Sequence, residues 1–68
     1  MKLSSVLSVV KGGVRVTVFD YLTDEMYLAG EVSKLLDLNE YHQSYKNCRV
    51  YGIDPKNDKL EVRILLED

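Results

Sequence analysis

Val14-Arg15-Val16-Thr17-Val18-Phe19 alternates aliphatic with polar or aromatic side chains, and Met26-Tyr27-Leu28-Ala29-Gly30-Glu31-Val32 alternates again after an acidic break at residues 20–25. A period of two places Val14, Val16 and Val18 on one face of a strand and Arg15, Thr17 and Phe19 on the other. On the return strand Met26, Leu28, Gly30 and Val32 share a face, opposite Tyr27, Ala29 and Glu31. The same pattern recurs in Cys48-Arg49-Val50-Tyr51-Gly52-Ile53, a turn Asp54-Pro55-Lys56-Asn57-Asp58, and Lys59-Leu60-Glu61-Val62-Arg63-Ile64-Leu65. There Leu60, Val62, Ile64 and Leu66 are expected to point inward, with Glu61, Arg63 and Leu65 outward. Two hairpins thus take up more than half of the 68 residues.

Working outward, Leu3, Val6, Leu7 and Val10 fall at helical spacing on one face, followed by Lys11 and a Gly12-Gly13 pair suited to a left-handed stop. The serines and valines are poor helix formers, so packing onto the sheet must hold this helix. A rival reading is an edge strand, since Leu3, Ser5, Leu7 and Val9 also alternate. Gly30 has no side chain to pack and marks a bulge or a close approach by the helix. Ser33 is placed to cap a short helix, Lys34-Leu35-Leu36-Asp37-Leu38, whose leucines should close one end of the core. A polar, aromatic connection follows over residues 39–47. The expected fold is α+β: an N-terminal helix packed on a four-stranded antiparallel sheet built from two β-hairpins, with a short helical connection between them. A strongly curled sheet would make a small open barrel instead.

At 68 residues the chain holds one small domain, residues 1–68, near the lower size limit for independent stability. Such domains often lean on disulfides, metals or a partner subunit. One cysteine, Cys48, closes no intrachain bridge, and with the one histidine, His42, it completes no structural zinc site unless carboxylates join. Tight packing or self-association is left. The serine-broken stretch of residues 1–10 has no small-residue cleavage site before Gly12, which with the lone thiol points to a reducing cytosol. No run approaches the roughly 20 apolar residues of a membrane span. Nine basic against eleven acidic residues give a net charge of −2, which is no nucleic-acid footprint.

The outward face collects Arg15, Thr17, Tyr27, Glu31, Arg49, Tyr51, Glu61 and Arg63, with Phe19, Ile53 and Leu65 among them. No helix is predicted to cover it. Aromatic and apolar groups flanked by arginine are the composition that protein interfaces favour. Residues 41–47, Tyr-His-Gln-Ser-Tyr-Lys-Asn, read either as a recognition loop or as a helical extension whose Tyr41 and Tyr45, four apart, lean on the core. The acidic turns, Asp20, Asp24 and Glu25 or Asp54, Asn57 and Asp58, lack the spacing of a calcium loop and are better explained by turn chemistry. His42 and Cys48 pair only if the fold brings them together, and no nucleophile, base and orienting group stand in a recognisable set. Gly12-Gly13 follows a helix instead of preceding one, so it is no phosphate loop. No catalytic, metal or cofactor residue is assigned.

The order Leu3-x-x-Val6-Leu7-x-x-Val10, two glycines, Val14-Arg15-Val16, and Tyr27-Leu28-Ala29-Gly30-Glu31-Val32-Ser33-Lys34-Leu35-Leu36 resembles short uncharacterised α/β proteins encoded on phages and conjugative elements of Gram-positive bacteria. Val50-Tyr51-Gly52-Ile53-Asp54-Pro55 with Leu60-Glu61-Val62-Arg63-Ile64 is similar to their final hairpin. The resemblance implies the same helix-and-two-hairpin fold and an accessory role on a mobile element, and it brings no functional residues. The expected function is a small cytosolic interaction module that docks a protein partner, or its own copy as a homodimer. Arg15, Tyr27, Arg49, Tyr51 and Arg63 would make the contacts, with Tyr41 and Tyr45 at the rim. The alternative is a single-stranded nucleic-acid binder stacking bases on the tyrosines, against which stand the net negative charge and the glutamates on the same face.

Overall fold

All four strands form where the alternation places them: β1 (Arg15–Asp20), β2 (Met26–Glu31), β3 (Arg49–Pro55) and β4 (Lys59–Leu65). The computed structural model describes residues 1–66, so the end of the expected domain, Glu67 and Asp68, lies outside the described residues. The strand order is β2-β1-β4-β3. Within each hairpin the pairing is antiparallel, but β1 and β4 run parallel, Arg15 facing Lys59 through Asp20 facing Ile64. The sheet is therefore mixed, which corrects the wholly antiparallel expectation. Parallel neighbours need a long connection. Residues 32–48 supply it by carrying the chain from one edge of the sheet to the other. Alternation is the same for either direction, so it carries no signal for this choice.

Three short helical segments cover one face: α1 (Leu3–Leu7), α2 (Val32–Leu35) and a π-helical turn (Tyr41–Tyr45). Their buried side chains form one cluster with the inward residues of the strands, among them Val16, Val18, Val62 and Ile64, all fully buried. Each such aliphatic side chain contributes about 1.5–3 kcal/mol of transfer free energy.

The helices are shorter than the periodicity suggests. α1 ends at Leu7, and beyond it Val9 and Val10 close only tight i→i+3 bonds to Val6 and Leu7. Ser8 Oγ donates to the Ser5 carbonyl at 2.9 Å, a local bond that competes with helix continuation. No side chain caps the start of α1. Its first amides donate instead to main-chain carbonyls, Leu3 to Cys48 and Ser4 to Lys46, each at 2.9 Å. Gly12 and Gly13 provide no left-handed stop, since Gly30 alone among the described glycines has a positive φ, 148°. Gly12 matters for contact: a Cβ there would lie 3.3 Å from that of Ser33, whose amide donates to the Gly12 carbonyl. Ser33 is inside α2, with Glu31 at the cap position and no side-chain capping bond. Leu35 is buried and Leu36 half-buried, but Leu38 stays 40% exposed, so not all three leucines close the core. Gly30 marks neither a bulge nor a tight approach. A Cβ there would make only ordinary contact with Leu35 of α2, at 3.7 Å, and the positive φ is what suits glycine.

Each hairpin does contain one register slip, and both extra residues are tyrosines on edge strands. Phe19 pairs with Met26 and Val18 with Leu28, leaving Tyr27 over. Val50 pairs with Ile64 and Gly52 with Arg63, leaving Tyr51 over. A bulge shifts everything beyond it to the other face. Met26, expected inward, joins Phe19 on the open face and is 59% exposed. Ile53, expected outward, falls in the inward row beside Val62 yet remains 45% exposed on its edge strand. Leu66, also expected inward, is 46% exposed.

Candidate functional site: the open sheet face and two tyrosine stacks

Strand register fixes the rows of the helix-free face. From β2 towards β3, one row is Met26, Phe19, Arg63, Gly52; the next is Ala29, Thr17, Glu61, Asp54. A third begins Glu31, Arg15, Lys59. Arg63 is the hub. Its guanidinium lies 5.0 Å from the Phe19 ring centroid, its Nε donates to Asp24 Oδ1 at 3.2 Å, and Nη1 approaches Glu61 Oε1 at 3.8 Å. A half-buried arginine anchored three ways presses on the central aromatic and ties the β1–β2 turn to β4. Beside it Tyr51 stacks on Tyr21, ring centroids 5.1 Å apart and 27° from parallel. Both rings remain nearly half exposed, and Leu22 next to Tyr21 is 73% exposed.

Of the residues expected to make contacts, the structure keeps Arg15, Arg49, Tyr51 and Arg63 on this face. Arg15 and Arg49 are exposed, and neither forms an ion pair among the described residues. Tyr27, Tyr45 and Tyr41 belong to the framework on the other side. Tyr41 is 2% exposed in the core. Tyr27 stacks on Tyr45 at 5.2 Å and 24°, and both pack half-buried against the core. The packing reading of residues 41–47 thus describes their tyrosines, and the bulge explains why Tyr27 left the outward set.

Asp20 organises the inner stack. At the inward end of β1 it is 8% exposed. Its Oδ1 accepts the amides of Leu22 (2.7 Å) and Thr23 (2.9 Å), and Oδ2 accepts the Tyr27 hydroxyl at 2.5 Å. Asp24 adopts a positive φ of 61° to complete the turn. The Tyr27 bond and the two amides hold the Asp20 carboxyl below its ordinary range, against the opposing effect of burial. Conversely, donation to Asp20, burial and the neighbouring carboxylates push the Tyr27 hydroxyl up to about 12. This acidic turn therefore spends its best oxygens on amides and a phenol. Burial also raises Tyr41 and Tyr45.

His42 and Cys48 border a depression of about 130 Å³ beside the π-helical turn. Each points to a different main-chain carbonyl, His42 Nε2 lying 2.6 Å from that of Leu36 and the Cys48 thiol donating to that of Ser44 at 3.3 Å. No group of three or more metal-ligating side chains gathers among the described residues. No described helix is long and apolar enough to cross a membrane.

Sequence reasoning missed Tyr21, Leu22 and the burial of Asp20. An aspartate opening a turn is itself a signal for amide acceptance, so Asp20 was accessible that way. Tyr21 was not, because its stack exists only once β1 lies beside β4. Compared with known proteins, the chain matches no family model, no curated protein and no solved structure.

Proposed function

We propose that this protein is a small interaction module that docks a protein partner through the open face of its sheet. One observation carries the reading: on the face free of helices, Phe19 under Arg63, exposed Met26 and the Tyr21–Tyr51 stack form an apolar, aromatic surface already held in place. Pre-ordered rings and an anchored arginine lose little conformational freedom on contact, and they are the side chains that dominate interface energetics. Arg15 and Arg49 stand on the same face as solvent-facing cations, suited to a rim that meets acidic groups on the partner. The resemblance to mobile-element proteins supplies the setting, an accessory role in a bacterial cytosol. Base stacking draws less support, because Tyr27 and Tyr45 are turned to the core and Glu31, Glu61 and Asp54 stand in the face's rows.

The test uses three baits in cell extract: wild type, Met26→Lys with Tyr51→Ala, and Val9→Lys on the helical side, where Val9 is 82% exposed. A partner held by wild type and Val9→Lys but lost by the double variant is expected. A partner retained by the double variant, or binding only to nucleic acid that weakens steeply with salt, overturns the reading.

A further inference from the structure

The two edges of the sheet are treated differently. Along β3, Met1 and Lys2 lie as a partial extra strand: the Val50 amide donates to the Met1 carbonyl at 2.8 Å and Lys2 bridges Arg49. The far end of β3 closes with Asp54 and Pro55, a residue without an amide hydrogen. Along β2 no such cover exists. Outside its ladder with β1, β2 pairs with no other strand, and its last residue, Glu31, serves as the cap of α2.

The direction of the open groups follows from register. The Val32 amide donates to the Val14 carbonyl at 3.0 Å, and the β1–β2 pairing continues that register through Arg15 with Glu31 to Val18 with Leu28. Antiparallel ladders alternate bonded and non-bonded pairs. Gly30 and Leu28 therefore bond to β1, while the amide and carbonyl of Ala29 face outward from the edge. The carbonyl of Glu31, the cap of α2, accepts the first bond of that helix. Nothing of lysine, arginine or proline blunts this strand, and Ala29 is exposed.

We propose that the β2 edge pairs antiparallel with β2 of a second copy of this chain about a two-fold axis at Ala29, joining the two sheets into one. In that register Ala29 opposes Ala29, Gly30 opposes Leu28, and Glu31 opposes Tyr27. The outward-facing groups of Ala29 bond to their own symmetry mates, as an isologous contact requires. The single formal charge of the strand meets a tyrosine, never its own copy, so no like charges are set opposite each other. Ala29 and Gly30 leave the centre unobstructed, and the Tyr27 side chain is already drawn towards Asp20 and Tyr45. The bulge at Tyr27 and the turn into α2 at Glu31 limit the ladder to Leu28, Ala29 and Gly30, which stops further strand growth. The pair would also set Met26 and Phe19 of both copies on one continuous open face, so each copy completes the surface of the other. This pairing goes beyond the docking function and stands without it.

Light scattering after size exclusion, from micromolar to near-millimolar protein, tests it. Wild type is expected to be a dimer. Ala29→Pro removes an outward amide hydrogen without touching the β1 ladder, a substitution edge strands accept, and it should give a folded monomer by circular dichroism. Ala29→Lys sets two cations face to face and should weaken the dimer about tenfold or more. This variant decides the matter if Ala29→Pro does not fold. Tyr51→Ala, on the opposite edge, should leave the dimer intact while losing an outside partner, so failure of one proposal is distinct from failure of the other. A monomeric wild type across the whole range, or an Ala29→Lys dimer as tight as that of wild type, overturns the pairing.

Discussion

The two tyrosine stacks have nearly the same geometry and opposite uses. Tyr27 on Tyr45 and Tyr51 on Tyr21 differ by a tenth of an ångström in separation, 5.2 against 5.1 Å, and by a few degrees in tilt, 24° against 27°. Each is built on the tyrosine bulged out of an edge strand. The inner stack is fastened: the Tyr27 hydroxyl reaches Asp20, and Tyr45 rides on a helical turn whose Tyr41 is in the core. The outer stack lies nearly half exposed on a face without helices. A bulge re-aims a tyrosine, but what stands across from it decides whether the ring becomes framework or contact surface.

The sharpest way to break this contrast is at the root of the inner stack. Tyr41→Ala empties a buried aromatic site and should cost about 3–5 kcal/mol in denaturant unfolding, close to the whole stability of a domain this size. A loss near zero would show that the inner stack is not framework.

Titration gives a finer test. The Asp20 carboxyl is lowered from 3.8, so the folded state binds this proton more weakly than the unfolded chain. Its contribution is full above about pH 3.8 and is lost as the pH falls through the lower folded value. The Tyr27 hydroxyl is raised from 10.0 to about 12. That contribution is full below pH 10 and is lost as the pH climbs towards about 12. In melting temperatures followed across pH, Tyr27→Phe should move the acid transition upward and flatten the alkaline limb relative to wild type. A Tyr27→Phe profile parallel to that of wild type would show that the Tyr27–Asp20 bond does not fasten the inner stack.

The smallest expected effect on stability is at the outer stack. Tyr51→Ala should cost only about 0.5–1.5 kcal/mol, the range of an aromatic pair. Its larger consequence should be loss of partner binding in a pull-down. A loss comparable to that of Tyr41→Ala would make the open face a structural element instead.

Much of this layout was legible in local pattern. Val16, Val18, Val62 and Ile64 are inward as alternation requires, and Leu3, Val6 and Leu7 are buried as helical spacing requires. Arg15, Arg49, Tyr51 and Arg63 were assigned to the correct face. Met26 and Tyr27 were not, because one extra residue in a strand reverses the parity of all that lies beyond it, and no residue type announces the slip. Tyr21 was silent for another reason: its partner is distant in sequence and reaches it across β4. The helix boundaries also missed, since serine side chains and main-chain carbonyls compete for bonds that propensity alone does not weigh.

By itself the sequence determined four strands, two hairpin turns and one buried aliphatic face, because strand period and turn chemistry act over a few residues at a time. It also determined that no disulfide within the chain supports the core. The tertiary structure alone decided that β1 and β4 run parallel, that β3 has a covered edge and β2 an open one, and that of five tyrosines only Tyr21 and Tyr51 face outward as a pair. Those outcomes depend on which distant segments share a sheet, a choice governed by the packing of the whole core and invisible to any short window of the chain.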